Sequence, residues 1–167
     1  MNPKVCIVLV NYKTWQDTLE CMESILRSDY RNYQIVVVEN GGDDDSWEQM
    51  LKWSRGENVV AIETTNPLHN LSFPPVPKPV LYFRADVGES DTMRLGPLDG
   101  IMPILFVKSK INLGFAGGNN VGIRYALNSN NDYVWLLNND TVIEPNAIRE
   151  LVHYCANKAA KKEKAGV

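Results

Sequence analysis

Residues 111–141 read INLGFAGGNNVGIRYALNSNNDYVWLLNNDT, and this stretch decides the fold. A Gly/Asn turn opens it. A helical pattern follows over Ala116–Leu127, then an apolar run over Tyr133–Leu137, then Asn138-Asn139-Asp140. Glycines let backbone come close to a ligand, and the first turn of a helix directs N–H groups at an anion. The strand then delivers Asp140 to a sheet edge, where a hard cation takes oxygen ligands. Turn, helix, strand and carboxylate in this order are the parts of a nucleotide-diphosphate site.

Working outward, the same alternation recurs. Val5–Val10 (VCIVLV) is an unbroken apolar run, as in a strand covered on both faces. Thr14 opens a helix, with Asp17 as a near-capping-box partner and Leu19, Met22, Ile25 and Leu26 as its apolar stripe. Ile35–Val38 is a second strand. Ser46 with Gln49 forms a second capping box, ahead of a short helix closed by Gly56. Val59–Ile62 and Ile104–Val107 read as further strands. A last helix starts at Pro145, with Ile148, Leu151, Val152 and Cys155 on its buried side. The pattern predicts an α/β fold, a parallel or mostly parallel sheet flanked by helices. The expected organisation is a single domain over residues 1–167, with a mobile insertion at 65–110 that holds most of the prolines and an added edge strand at Val80–Phe83. Ala165-Gly166-Val167 reads as the start of another strand, so the domain is expected to be incomplete.

Composition narrows the function. The 167 residues carry a net charge of -3, which gives no electrostatic case for nucleic acid. The one basic run, Lys158–Lys164, reads as a solvated helix end, with contact to anionic lipid as the rival reading. The 3 cysteines, at positions 6, 21 and 155, make no zinc spacing and fit buried thiols in a cytosolic protein. No run approaches the roughly 20 apolar residues of a membrane span, and the N-terminus lacks the pattern of a signal peptide. His69 and His153 read as structural or exposed.

In an open α/β sheet, ligands bind beyond the carboxyl ends of the strands. Here those ends carry Asn11-Tyr12, Glu39-Asn40, Asn112-Leu113-Gly114 and Asn138-Asn139-Asp140. Glu39 can accept hydrogen bonds from a base or ribose, or can serve as a strand-end acid capping a turn. Gly114, Gly117, Gly118, Asn119 and Asn120 match neither GxGxxG nor a P-loop; an anion site and a tight turn with close helix packing are both open. Asp140 is the metal candidate, Mg2+ or Mn2+, against the alternative of a turn cap. A receiver-like domain is disfavoured, because Asn11-Tyr12 stands where an acidic pair is needed.

The segments VCIVLVNYKTWQDTLECMESIL, QIVVVENGGDDD, NLGFAGGNNVGIRYAL and YVWLLNNDTVIEP together resemble the family 2 glycosyltransferases, in particular a bacterial rhamnosyltransferase-like branch. The resemblance implies a Rossmann-like GT-A fold and inverting transfer of a sugar from a UDP- or dTDP-linked donor to a saccharide or lipid-linked acceptor in bacterial cell-surface polysaccharide synthesis. It implies a cytoplasmic protein, working also at the inner face of the membrane. Glu39 would stand where the family has an aspartate at the nucleotide base. Asn11 and Tyr12 would flank the nucleoside, and Asn112, Gly114 and Asn119 would lie along the nucleotide. Asn138-Asn139-Asp140 would replace the family's Asp-x-Asp motif, with Asp140 on the metal and Asn138 near a ribose or phosphate. The family's catalytic base falls after Val167, so none is named. A non-catalytic nucleotide-binding or regulatory module is the alternative.

Overall fold

Strand β1, Val5–Asn11, is an inner strand of the sheet, as its two apolar sides require. Val5, Ile7 and Leu9 join one buried cluster, and Cys6 and Val8 join the other. The computed structural model describes residues 2–59, 65–98 and 100–160. Within them follow α1 (Trp15–Ile25), β2 (Tyr33–Asn40), α2 (Ser46–Arg55), β3 (Tyr82–Asp86), β4 (Ile104–Ser109), α3 (Gly114–Asn128), β5 (Tyr133–Leu136) and α4 (Ala147–Ala160). The sheet has 5 strands in the order β3-β4-β2-β1-β5, and every neighbouring pair is parallel. The expected α/β architecture is present, with the sheet all parallel.

Each sheet face has its own layer. Leu19, Met22 and Ile25 of α1, Met50 and Trp53 of α2 and Ile148 of α4 cover Ile7, Leu9, Ile35, Val37 and Phe106. Val121, Tyr125 and Ala126 of α3 cover Val8, Val36, Val38, Leu105 and Val107. Helix α3 lies very close to β1. A Cβ on Gly122 would fall 2.3 Å from Val8 Cγ1, and one on Gly118 would fall 2.8 Å from Val10 Cγ1. Those glycines, one helical turn apart, are packing residues.

The helix starts differ from the sequence reading. Thr14 makes no side-chain cap bond to α1. Asp45, not Ser46, is the cap position of α2, and Gln49 Nε2 donates to Asp45 Oδ2 at 2.7 Å. The Ser46 hydroxyl instead donates to Asp44 Oδ2 at 2.7 Å. Gly56 does close α2, in the left-handed conformation with φ 83.

The insertion is where the sequence was least informative. Its edge strand lies at Tyr82–Asp86, paired in parallel with β4, two positions later than Val80–Phe83 suggested. Its last part, Ile104–Ser109, is an inner strand of the sheet. Upstream of β3 the Pro-rich segment docks on α1 and α2 through Glu23. This carboxylate, 1% exposed, accepts from Trp53 Nε1 at 2.8 Å, Val76 N at 2.7 Å and Lys78 Nζ at 2.8 Å. Downstream of β3, Val87, Met93 and Leu95 pack on the opposite face beside α3. The insertion therefore wraps the β3 edge from one layer to the other.

The strand expected at Val59–Ile62 and the strand start at Ala165–Val167 fall mainly or wholly outside the described residues, as does most of the basic run. Cys6, Cys21 and Cys155 are free thiols. Burial pushes the Cys6 and Cys21 thiols up to about 12, which makes them inert. Among the described residues no helix is long and apolar enough to cross a membrane.

Candidate functional site

The chain order sets the place of the site. From β1 the chain crosses to β2 through α1 on one face. From β4 it crosses back to β5 through α3 on the other, passing β2 and β1. The crossovers diverge between β1 and β5, and the carboxyl ends of strands at such a switch point leave an open crevice. A cleft of roughly 370 Å³ lies there, within the usual range of small-molecule sites. The end of β1 supplies Val10, Tyr12 and Thr14, and β2 supplies Asn40. The turn into α3 adds Asn112, Gly114 and Phe115, and the residues after β5 add Leu137, Asn138 and Asn139. The lining is amide, hydroxyl and aromatic, and it holds no carboxylate among the described residues.

Of the residues expected at the site, Tyr12, Asn112, Gly114 and Asn138 line this cleft. Asn11, Glu39 and Asn119 do not. They are buried behind it, at 0%, 3% and 5% exposure. Asn119 Nδ2 donates to Phe115 O at 3.0 Å, inside its own helix. Asn11 Nδ2 donates to Glu39 Oε2, and the Gly42 N–H donates to Glu39 Oε1 at 3.2 Å. Both Glu39 oxygens are thus engaged within the protein.

The turn into α3 is held by amides of the cleft itself. Asn40 Nδ2 donates to Asn112 Oδ1 and to Gly114 O, each at 3.1 Å. Asn40 Oδ1 takes the Leu113 N–H at 3.0 Å, and Asn112 Oδ1 takes the Gly114 N–H at 2.7 Å. Gly114 has φ 71, a conformation that favours glycine. Two backbone amides of the expected anion-binding turn are therefore already satisfied by side chains.

Lys13 has φ 63, uncommon for a side-chain-bearing residue, and its ammonium pairs with Asp43 across the top of the β1 and β2 ends. The pair raises the Lys13 pKa and lowers that of Asp43 through their shared hydrogen bond. Both groups are exposed, so the contact orients more than it stabilises.

Burial pushes the Glu39 carboxyl above its ordinary value of 4.5, and the bonds from Asn11 and Gly42 only partly offset this. A raised folded-state pKa means that the folded protein takes up the proton more readily than the unfolded chain. The associated stability is fully present below the unfolded value and is lost as pH rises through the folded one. Wild type should therefore gain stability relative to Glu39→Gln as pH falls from 7 to 4 in urea titrations. The opposite slope would mean that the folded state prefers the ionised carboxylate.

Asp140 is exposed, and no hydrogen bond or ion pair from the described residues reaches its carboxylate. It is not capping the turn, since the Thr141 N–H goes to Asn138 O at 3.3 Å. An uncommitted carboxylate fits a hard cation that keeps waters and takes further oxygens from substrate phosphates. No group of three or more His, Cys, Asp or Glu side chains that could hold a metal exists among the described residues.

Sequence reading passed over Thr14, Thr18 and Phe115. Phe115 is 68% exposed in the cleft wall, and an aromatic inside a Gly/Asn turn was its signal. Thr14 is the N-cap position of α1, and Thr18, one turn on, lies on the buried face with Met22 and Ile25, where a hydroxyl among apolar side chains was its signal.

Comparison with known proteins agrees with this geometry. The model of glycosyl transferase family 2 matches residues 5–69. The chain is 31% identical over 62 residues to glycosyltransferase GlyG of Streptococcus pneumoniae serotype 4, covering 37% of this chain and 21% of that protein. Its fold is similar to the crystal structure of S. aureus TarS 1-349, with a TM-score of 0.57 at 11% identity over 93% of this chain and 33% of that one. A second S. aureus TarS structure gives a TM-score of 0.54 at 12% identity, covering 93% and 20%. The chain thus spans about a fifth of the curated relative's length and at most a third of these TarS chains. A parallel sheet with its cleft at the switch point defines a Rossmann-like, GT-A-type domain. Residues 5–69 are similar in sequence to the family 2 glycosyltransferases, and the fold is similar to that of the TarS chains.

Proposed function

We propose that the cleft binds the nucleotide-diphosphate part of a UDP- or dTDP-linked sugar, and that the domain is the donor-binding part of an inverting glycosyltransferase. The acceptor would be the hydroxyl of a saccharide or lipid-linked molecule in cell-surface polysaccharide synthesis, at or near the cytoplasmic face of the membrane. The observation that carries this reading is the cleft at the β1/β5 switch point, lined by Tyr12, Asn40, Asn112 and Asn138, of which Tyr12 and Asn40 fall in the segment that matches the family 2 model. Tyr12 offers a face for a base. The amides offer donors and acceptors to ribose and phosphate. The uncommitted Asp140 carboxylate, with Asn138 near it in sequence, would hold Mg2+ or Mn2+. That ion, when bound, offsets charge on the leaving diphosphate.

Inverting transfer needs a group to take the acceptor proton. No carboxylate lines the cleft among the described residues. This observation favours the second reading, a nucleotide-binding module without turnover. A radiolabelled-sugar assay separates them, since a module binds the donor and transfers nothing.

The first test is a thermal-shift panel of nucleotide diphosphates and their sugars with and without Mn2+. Asp140→Asn should weaken Mn2+-dependent UDP or dTDP binding by roughly 10–100-fold, the range that loss of even an outer partner of a metal site produces. Metal-free binding should be unchanged. Equal calorimetric affinities of variant and wild type in Mn2+ would remove the metal from the proposal.

A further inference from the structure

From the cleft wall inward runs a row of hydrogen bonds that ties four elements together, exposed at Thr14 and buried at Asn11 and Glu39. Asn139 Nδ2, after β5, donates to Thr14 Oγ1 at 2.7 Å and to Thr18 Oγ1 at 2.9 Å. The Thr18 hydroxyl, on α1, donates to Asn11 Oδ1 at 2.7 Å. Asn11, on β1, donates through Nδ2 to Glu39 of β2. Thr18 and Asn11 are fully buried and Glu39 is 3% exposed, so water does not offer an alternative partner.

The direction of this row follows from its last member. Glu39 Oε1 takes the Gly42 N–H and Glu39 Oε2 takes the Asn11 NH2, which leaves the Asn11 carbonyl for Thr18. Thr18 has one hydroxyl hydrogen, and the Asn11 carbonyl at 2.7 Å takes it ahead of the Thr14 carbonyl at 3.2 Å. The Thr18 lone pairs are left to receive Asn139, whose chain neighbours are Asn138 and Asp140. Each donor points toward Glu39. A neutral side chain at position 39 could be met by either end of the Asn11 amide, and the order would then be lost.

We infer that Thr18 is a positioning residue, which passes the orientation set by Glu39 through Asn11 to the Asn138–Asp140 segment. It acts without touching ligand and fixes where the cleft presents the Asn138 amide, and with it the place of the neighbouring Asp140. The inference deepens the donor-binding reading above and rests on it for its consequence in binding. The coupling itself belongs to the free protein.

The experiment compares Thr18→Val, which keeps shape and removes the hydroxyl, with Thr18→Ser, which restores it. In the ligand-free protein, exchange of the Thr141 amide and of the Asn139 side-chain amide protons should speed up by about tenfold in Thr18→Val, the scale of one lost buried hydrogen bond. Thr18→Ser should restore wild-type rates. With Mn2+ present, affinity for UDP or dTDP per folded molecule should fall about tenfold in Thr18→Val and return in Thr18→Ser. A merely structural role would lower Tm and leave both readouts unchanged, and that result overturns the inference. If wild type binds no nucleotide diphosphate, the donor-binding reading fails, while the exchange rates still decide the coupling.

Discussion

Glu23→Ala should lower the unfolding free energy by about 3–5 kcal/mol, the usual cost of breaking a buried ion pair by removing one partner. The Glu23 carboxylate is 1% exposed and serves Trp53 Nε1, the Val76 N–H and Lys78 Nζ together. Its loss strands two neutral donors and one cation. Lys78 lies 4.1 Å from the Trp53 ring centroid, and its side chain is 12% exposed, so its charge cannot simply move into water. The Pro-rich segment before β3 depends on these bonds, so the variant should also become sensitive to proteases between residues 66 and 81. Replacing both partners, Glu23→Met with Lys78→Met, should recover the part due to the stranded cation, while Trp53 Nε1 and the Val76 N–H still lack their acceptor. Urea denaturation measures all three. A change below about 1 kcal/mol for Glu23→Ala would show that other contacts hold the segment.

Gly41→Ala should cost about 2–5 kcal/mol and abolish nucleotide binding, for two separable reasons. Gly41 has φ 72, where a side chain costs roughly 1–2 kcal/mol. An added Cβ would also fall 2.1 Å from the carbonyl carbon of Ile111 and 2.3 Å from Asn112 N, and overpacking of this kind adds about 1–3 kcal/mol. The obstacle is backbone, which has no rotamer to escape into. The turn carrying Asn112, Gly114 and Phe115 would have to move away from Asn40, and that turn is one wall of the cleft. Gly88→Ala is the control. Its φ is 95 but nothing lies within 4 Å of its added Cβ, so only the conformational cost should appear. Equal losses for the two variants would show that the approach of residues 111–112 is not what Gly41 permits.

Both effects sit where the sequence said least. Glu23 falls on α1 among residues that a helical wheel assigns to solvent, and nothing local marks it as buried. Its partners arrive from residues 53, 76 and 78. Gly41 was legible as a turn glycine, but not as the point where residues 111–112 cross it. The apolar strands were legible because a strand buried on both faces needs an unbroken apolar run, and Val5–Val10 and Ile35–Val38 have one. The edge strand Tyr82–Asp86 lacks such a run, since only one neighbour covers it, and was placed two residues early.

The sequence by itself determined the alternation of strand and helix, and hence a parallel α/β sheet with polar residues gathered at its carboxyl edge. Local pattern suffices for this, because each strand declares its own burial. Only the tertiary structure decided which of those polar residues face the cleft. Tyr12, Asn112 and Asn138 line it, while Asn11 and Glu39, also strand-end residues, turn inward and bind each other. Side chains alternate sides along a strand, and the choice between cleft and interior depends on the partner across the sheet. Asn11 and Glu39 are register partners on β1 and β2. Register is a property of two chain segments, and no single segment carries it.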